Sequence, residues 1–292
     1  MNANSRNNLD FFGLCHSSFT FKESGVDMSS FITREMVKEY EQKGVVLIPG
    51  LFGNHVEDLR RGVDRNMSDP GPYAAENLKK GEKGRFFDDY CNWGRIPEFK
   101  EVTQDTEISA AAADLMSSNS VQLFHDHVLV KEPGTSKETP WHSDGPYYFV
   151  KGKQTVSFWV PLDPVQEASL RMVAGSHKWN KQVLPTRWLS EESFYPNPED
   201  YIPVPDPDNE GMEVLEYQME PGDAVAFHFE ILHGARGNTS ENRRRAFSLR
   251  LLGDDARYTE RPGRTSPPFP GHDMKEGEKL RSDWFPILYR RS

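Results

Sequence analysis

The chain has 292 residues, which suits one large domain, because all-β barrels commonly use about 200–250 residues for a single domain. Hydrophobic residues make up 36% and aromatic residues 12%, so a globally disordered chain is excluded. The net charge is −10, and an acidic chain repels nucleic-acid phosphates and anionic membranes. We therefore expect a small molecule as the partner, with no nucleic acid and no membrane. The pattern carries no signal for an oligomeric state.

The two cysteines, Cys15 and Cys91, form neither a CxxC pair nor a metal-ligand spacing. The first residues lack the basic start and apolar core of a signal peptide. No run approaches the ~18 apolar residues that a spanning helix needs. We therefore expect a reduced protein of the cytoplasm.

The first part of the chain is predicted to be a polar arm, 1–28, followed by a helical part. Ser30 or Thr33 would cap the first helix, since both side chains suit that position. Segment 68–105 is rich in Gly, Pro and charge, which predicts loops bordering a site. Apolar spacing predicts helices at 30–44, 54–67 and 108–116 and a short buried strand at 44–52.

From about residue 120 the pattern changes to short apolar segments separated by Gly and Pro. A polar, Pro-rich insertion at 179–210 interrupts them. This pattern is typical of a mainly β protein with flanking helices, built as a double-stranded β-helix (jelly-roll or cupin-like) barrel. We predict a single domain at 29–257, with a helical part at 29–118 and a barrel core at 119–257, and a tail at 258–292 that packs on it. The predicted strands are VQLFHDHVLVKEPG, QTVSFWVPLD, SLRMVAGSH, EVLEYQM, AVAFHFEILHGA and AFSLRLLGD.

The first chemical signal is the tetrapeptide Trp141-His142-Ser143-Asp144. On an extended strand, residues two apart face the same side, so His142 and Asp144 would meet at one point. A further histidine would complete a 2-His-1-carboxylate triad, which suits Fe(II) and leaves positions open. The pair alone is also compatible with a surface loop that carries a hydrogen-bonded histidine.

The second signal is His233, about ninety residues later, in the segment His233-Gly-Ala-Arg-Gly-Asn238. It follows the turn Pro221-Gly222-Asp223 and the strand predicted after it. His228 competes for the role, but its neighbours Phe227 and Phe229 make it resemble an ordinary strand histidine.

The third signal is the run Arg243-Arg244-Arg245. Strand side chains alternate, so Arg244 faces away from the other two. An inward guanidinium would bind a carboxylate with two parallel hydrogen bonds, which lysine cannot reproduce. A run of arginines is otherwise typical of a solvated edge.

These segments together resemble the phytanoyl-CoA dioxygenase family of Fe(II)/2-oxoglutarate-dependent oxygenases, over about residues 30–252. Two departures, Ala168-Ser169 before Leu170 and Ala174 before Gly175, affect a turn and substrate contacts rather than iron. The matching segments are GVVLIPGLF, KEPGTSKETPWHSDGPYY, the strand with Trp159, VAGSH, EPGDAVAFH and HGARGNTSENRRRAFS.

The resemblance implies iron ligation by His142, Asp144 and His233, and binding of the distal carboxylate of 2-oxoglutarate by Arg244. Trp159 matches an aromatic residue of the cosubstrate pocket, and His127 a position near the cosubstrate; each is otherwise an ordinary core residue. The implied cofactors are Fe(II), 2-oxoglutarate and O₂. The implied activity is hydroxylation of a C–H bond in a small organic molecule, with release of succinate and CO₂.

Two other classes of protein remain open at this point. One is a different cupin-type metalloenzyme, either an isomerase or an oxygenase that does not use 2-oxoglutarate. The other is a non-catalytic jelly-roll binding protein. The aromatic residues at 86, 87 and 147–149 would form a substrate wall or pack the barrel, and the lysines at 79, 80 and 83 would meet an anionic group or form a solvated loop.

Overall fold

The computed structural model describes residues 29, 31–165 and 170–291. The predicted arm at 1–28, Cys15 and Ser30 lie outside the described residues. Among the described helices we find none with both the length and the hydropathy of a transmembrane span.

Helices flank the β part, as the sequence predicts. The first helix begins after Thr33, whose side-chain oxygen accepts a hydrogen bond from the backbone N–H of Met36. It ends at Gly44, whose φ of 76° lies in the left-handed region that favours glycine. Of the two predicted caps, Thr33 is therefore confirmed. The helices in the described residues are α1 (Arg34–Lys43), α2 (Val56–Ser68), α3 (Pro97–Thr103) and α4 (Thr106–Leu115).

The strands are short and separated by turns, and together they confirm the mainly β prediction. They are β1 (Val45–Ile48), β2 (Ala75–Glu76), β3 (Phe86–Tyr90), β4 (Ser120–Lys131), β5 (Thr139–His142), β6 (Val150–Lys151), β7 (Thr155–Pro161), β8 (Leu170–Val173), β9 (Val214–Glu216), β10 (Ala224–Phe227), β11 (His233–Ala235), β12 (Arg244–Leu252), β13 (Arg257–Tyr258) and β14 (Ile287–Arg290).

Two antiparallel sheets form the jelly roll. The larger sheet has the order β1-β10-β7-β12-β4-β3-β2, with β14 also paired to β4. The smaller sheet has the order β5-β11-β8-β9, and β13 pairs with β6 separately. The predicted jelly-roll class is confirmed by this arrangement of short antiparallel strands in two sheets.

The two faces of the larger sheet have different roles. On β12, Phe247 and Leu249 belong to the apolar cluster that also contains Leu59 and Val63 of α2. Residues at even positions of β12 face the other side, because side chains alternate along a strand. The helices therefore cover one face, and the opposite face is left for the interior between the sheets.

Segment 68–105 is not only loop, which corrects the prediction. It contains β3, which pairs along β4, and the helix α3. The strand was not predicted because its acidic residues are typical of a surface loop. Asp88 and Asp89 are nevertheless both buried, and each has side-chain partners. Asp88 accepts from Asn77 at 2.5 Å, and Asp89 accepts from Asn66 at 2.7 Å. Buried carboxylates with such partners are tolerated in a strand whose composition suggests a surface loop.

The predicted strand AVAFHFEILHGA is two strands, which is a second correction. Its first half is β10 in the larger sheet and its second half is β11 in the smaller sheet. Between them the backbone N–H of Ile231 donates to the carbonyl of His228 at 2.9 Å, which closes a turn. The chain changes sheets at this corner, so apolar content alone does not reveal the break.

The predicted tail contacts the β part through β14, which pairs with β4. The insertion at 179–210 contains one 3-10 turn, Pro198–Asp200, and two isolated β-bridges, Val183–Ile202 and Thr186–Ser193. The division of the chain into one domain at 29–257 and a separate tail stays a prediction.

Candidate metal centre and pocket

Three buried side chains, two from the smaller sheet and one from the turn after β5, converge on one point. His142 ends β5 and His233 begins β11, and the register of these neighbouring strands places the two residues opposite each other. Asp144 Oδ1 lies 3.6 Å from Nε2 of His142 and 4.0 Å from Nε2 of His233. One ligand atom from each residue lies within 4.8 Å of the others.

Asp144 reaches this point by a turn and not by strand alternation, which corrects the local expectation. β5 ends at His142, and Asp144 has φ −70° and ψ −40° at the start of a 3-10 turn, Gly145–Tyr147. The backbone N–H of Gly145 donates to the carbonyl of Phe229 at 2.8 Å, which fixes this turn beside the corner between β10 and β11.

Both histidines present the correct nitrogen for metal binding. Nδ1 of His142 lies 2.8 Å from the carbonyl of Pro140, and Nδ1 of His233 lies 3.0 Å from the carbonyl of Ile231. A carbonyl accepts hydrogen bonds and does not donate them, so each Nδ1 carries the proton. The lone pair is then on Nε2, which faces Asp144 in both cases.

The charges of the cluster suit a cation. Burial lowers the pKa of His233 to about 3, so its imidazole is neutral at pH 7. Burial alone would raise the pKa of Asp144, but the charge of Arg250 and the contacts with both histidines hold that pKa well below its usual range. Two imidazoles and one carboxylate are the donor set that suits Fe(II) and leaves positions open for other ligands.

His228 does not belong to the cluster. Its Nε2 lies 3.0 Å from the carbonyl of Lys153, and its Nδ1 accepts from the backbone N–H of Glu230 at 3.1 Å. Both ring nitrogens are therefore occupied. The geometry brings His233, and not His228, to His142 and Asp144.

The triad opens into a cavity of about 480 Å³ between the two sheets. Trp159, His127 and Arg244 also line this cavity, so all six residues predicted for the site surround one space. Nε2 of His127 lies 3.0 Å from Oδ2 of Asp88, which fixes the imidazole in the wall. The roles of these six residues toward iron and cosubstrate remain proposals.

The side chains of the three consecutive arginines face opposite sides of the sheet, as predicted. Arg244 is buried and lines the cavity, and burial lowers its pKa to about 10. Arg243 and Arg245 are on the other face, where they bind Glu132 and Asp163 at 2.7 and 2.8 Å. The alternation of strand side chains places one guanidinium of the three inside.

Sequence reasoning missed Arg250, which lies on the same strand and the same face as Arg244, six residues further on. It is buried, and its Nη2 donates to Asp144 at 3.2 Å. It also missed His125, the cross-strand neighbour of Arg250, which lines the cavity. The alternation of strand side chains would have placed both residues on the cavity face. Arg250 is six positions from Arg244, and His125 is two positions from His127.

Loops complete the cavity. The insertion contributes Trp188 and Phe194, and the tail contributes Ser266, whose hydroxyl lies 3.0 Å from that of Tyr90. Among the aromatic residues considered for a substrate wall, Tyr147 and Tyr148 line the cavity, and the phenylalanines at 86, 87 and 149 pack elsewhere. The lysines at 79, 80 and 83 are exposed and do not line it.

A jelly roll with a buried 2-His-1-carboxylate cluster, open to a cavity with an inward arginine, defines the class of non-haem iron oxygenases. Solved structures have the same fold. The carbocyclase SnoK from nogalamycin biosynthesis, a non-haem α-ketoglutarate-dependent enzyme, superimposes with a TM-score of 0.70 at 22% identity, over 90% of this chain and 99% of that one. The epimerase SnoN, solved with Fe³⁺, α-ketoglutarate and nogalamycin RO, gives a TM-score of 0.68 at 20% identity, over 87% and 97%.

Sequence comparison gives the family. The model of the phytanoyl-CoA dioxygenase (PhyH) family matches residues 40–246. A probable phytanoyl-CoA dioxygenase of Caenorhabditis elegans is 26% identical over 270 residues, which are 81% of this chain and 80% of that protein. The chain belongs to the phytanoyl-CoA dioxygenase family, and its enzyme class is that of the Fe(II)- and 2-oxoglutarate-dependent oxygenases. The resemblance seen in the sequence is confirmed.

Proposed function

We propose that the protein hydroxylates a C–H bond of a small organic molecule of acyl or secondary-metabolite type, and that its triad holds the iron for this reaction. The supporting observation is that His142, Asp144, His233 and Arg244 line one cavity in a member of this family. In the overall reaction one atom of O₂ enters the substrate as a hydroxyl group. The other enters 2-oxoglutarate, which leaves as succinate and CO₂.

Different residues of the chain bind the metal and the cosubstrate. Nε2 of both histidines and Oδ1 of Asp144 hold the metal, which supplies the O₂ chemistry when it is bound. Arg244 binds the distal carboxylate of 2-oxoglutarate, because a buried guanidinium in a cavity is complementary to that group. Trp159 and His127 shape the space between these two points.

Asp144 supports hydroxylation over halogenation. Halogenating relatives have a small residue in place of the carboxylate ligand, which leaves room for a halide. Here the carboxylate is present and buried beside both histidines. The carboxylate therefore occupies the ligand position that a halide would take in a halogenating relative.

The cavity favours a substrate with an apolar body. Tyr147, Trp188 and Phe194 line it with aromatic surface. Arg187 is exposed and lies over the ring of Phe194, 5.0 Å from its centroid, at the same part of the wall. Aromatic surface of this kind suits a ring system or an acyl chain.

The test is succinate formation by protein loaded anaerobically with Fe(II), assayed with 2-oxoglutarate, O₂ and a panel of acyl and polycyclic substrates. We expect succinate from the wild type and background levels from Asp144→Ala. Asp163→Ala is the matched control, because Asp163 is also paired with an arginine but lies outside the cavity. Undiminished turnover by Asp144→Ala would exclude the proposed centre.

Family membership decides against the two other classes, since the enzyme class is that of the Fe(II)- and 2-oxoglutarate-dependent oxygenases. Metal analysis followed by 2-oxoglutarate titration measures the two binding steps directly. Fe(II) binding without succinate from any compound of the panel would contradict the proposed substrate types.

The cytoplasm is the compartment we propose for the reaction. Cys91 is a free, half-buried thiol, and burial raises its pKa far above the usual range. A thiol of this kind is typical of a protein in a reducing compartment. Imaging of the tagged full-length chain against organelle markers tests the assignment, and residence in an organelle would contradict it.

A further inference from the structure

A buried arginine contacts the carboxylate of the triad. Nη2 of Arg250 donates to Oδ2 of Asp144 at 3.2 Å, and Nε of Arg250 donates to the hydroxyl of Tyr148 at 2.8 Å. All three residues are buried, with 4–5% of their surface exposed. Two partners in different directions therefore fix the guanidinium beside the carboxylate.

The two oxygens of Asp144 have different neighbours. Oδ1 faces Nε2 of His142 and Nε2 of His233, whereas Oδ2 faces Arg250. A carboxylate can bind a metal through one oxygen or through both. In this arrangement one oxygen remains for the metal, because the other accepts a hydrogen bond from the guanidinium.

We propose that Arg250 is a positioning residue that keeps Asp144 a one-oxygen ligand of the metal. This inference rests on the proposed metal site. Three protein atoms on one face of an octahedral ion leave three positions for other ligands. If Asp144 bound through both oxygens it would occupy one of these positions, which 2-oxoglutarate and O₂ need. Arg250 thus keeps the coordination sphere open.

A bulge lies beside this contact, in the neighbouring strand. β4 has one extra residue, Phe124, opposite the step from Arg250 to Leu251. Bulges are frequent beside active sites, where they re-aim side chains. The register of β12 against β7 stays regular through Leu252, so β12 itself keeps the alternation that places Arg250 on the cavity face.

Arginine fits the position better than lysine does. Its planar fork carries several donors in fixed directions, so Nε and Nη2 reach Tyr148 and Asp144 at the same time. Lysine has the same charge on a flexible stem, without this fork. The alternative is a purely structural ion pair that joins the two sheets, since β12 belongs to the larger sheet and Asp144 follows β5 of the smaller one.

The experiment uses Mn(II) as the probe metal, because water-proton relaxation counts the exchangeable waters on this ion. The wild type should hold about three, since an octahedral ion with three protein ligands has three positions left. Arg250→Gln should hold about two. Its Kd for 2-oxoglutarate should rise about 10- to 100-fold, the size typical for loss of a residue that orients a metal ligand.

The matched control is Arg245→Gln. Arg245 lies on the same strand and is paired with Asp163, but it faces away from the cavity. This variant loses an arginine–carboxylate pair and some thermal stability, yet it should keep the wild-type water count and Kd. Tyr148→Phe should give a smaller rise in Kd, because Arg250 then keeps one of its two partners. If Arg250→Gln does not fold, the test is made with Tyr148→Phe instead.

A folded Arg250→Gln protein with about three waters and the wild-type Kd for 2-oxoglutarate would overturn the proposal and leave the metal site intact. The same values in Tyr148→Phe would overturn it if that variant carries the test. A wild-type protein that binds no Mn(II) would overturn both the proposed function and this inference. The two failures are therefore distinguishable.

Discussion

The two sheets contribute to the pocket in different ways. The smaller sheet and the turn after β5 carry the proposed metal ligands: His142 and His233 are opposite each other in neighbouring strands, and Asp144 lies two residues beyond His142. The larger sheet supplies a wall, with Arg244 and Arg250 at the two ends of one strand face. Six residues of strand span roughly 20 Å, so the two arginines serve different parts of the cavity.

This difference shows how chemistry is distributed over a jelly roll. The end of the cavity that carries the triad, called the metal end, depends on one strand pair and one turn, so its geometry is local. The opposite end, at Arg244, depends on the register of β12 against β4 and β7, so its geometry is set by the whole sheet. A change at the metal end should therefore abolish the activity, whereas a change in the wall should alter affinity.

The largest effect is expected from His233, and its comparison is with His228, five residues earlier in the chain. His233→Ala should lose Fe(II) binding and reduce succinate formation by at least about 100-fold, because a metal ligand matters more than the residues that orient it. His228→Ala should keep both properties, since its nitrogens bind backbone groups of Lys153 and Glu230. Metal analysis and the succinate assay measure this contrast, and the opposite ranking would make His228 the ligand.

The next effect concerns the three arginines. Arg244→Lys should raise the KM for 2-oxoglutarate about 10- to 100-fold, because a charge-assisted pair of hydrogen bonds contributes about 1.5–3 kcal/mol. The kcat at saturating 2-oxoglutarate should change less, since the reacting centre is untouched. Arg245→Lys is the control, because Arg245 binds Asp163 on the outer face. Equal KM values for the two variants would remove Arg244 from cosubstrate binding.

The sequence predicts the metal end well because its signals are short. The HxD pair and the Pro-Gly-Asp turn before His233 are each visible within a few residues. Even here the expected strand geometry was wrong at Asp144, which lies in a 3-10 turn. The residue types indicated correctly that these three side chains converge, although the local backbone differed.

The wall was harder to predict because it depends on contacts between distant segments. Asp88 resembles a surface charge in the sequence, and its burial follows from Asn77 and His127, eleven and thirty-nine residues away. Arg250 shows its role only when β12 lies beside Asp144, 106 residues earlier in the chain. Such pairs have no spacing that a single sequence reveals.

A smaller effect is expected from the middle of the wall. Trp159→Phe should raise the KM for 2-oxoglutarate about two- to tenfold, since aromatic contacts of this kind contribute about 0.5–1.5 kcal/mol. Trp159 lines the cavity in register with Ser248, between the two arginines of β12. Steady-state kinetics with varied 2-oxoglutarate measure the change. A raised KM for the primary substrate alone would place Trp159 on the substrate side.

The smallest effect on activity is expected behind the wall, at Asp126, where the change is a pH dependence of stability. Oδ1 of this buried carboxyl accepts from the backbone N–H groups of Asn92 and Trp93, both at 2.8 Å. Burial raises its pKa to about 7, from about 3.9 in an unfolded chain. Between these values the folded state holds a proton that the unfolded state releases, so the folded state loses stability as the pH rises from about 4 to 7.

Asp126→Asn keeps the Oδ1 acceptor and has no proton to lose, so it isolates this contribution from every other titrating group. The stability of the variant relative to the wild type should increase with pH over the same range, by at most about 1.4 kcal/mol per pH unit. Urea unfolding at pH 5, 6, 7 and 8 measures the difference. Parallel stability curves for the two proteins would mean that Asp126 is ionised in the fold throughout, with its charge held by the two backbone N–H groups.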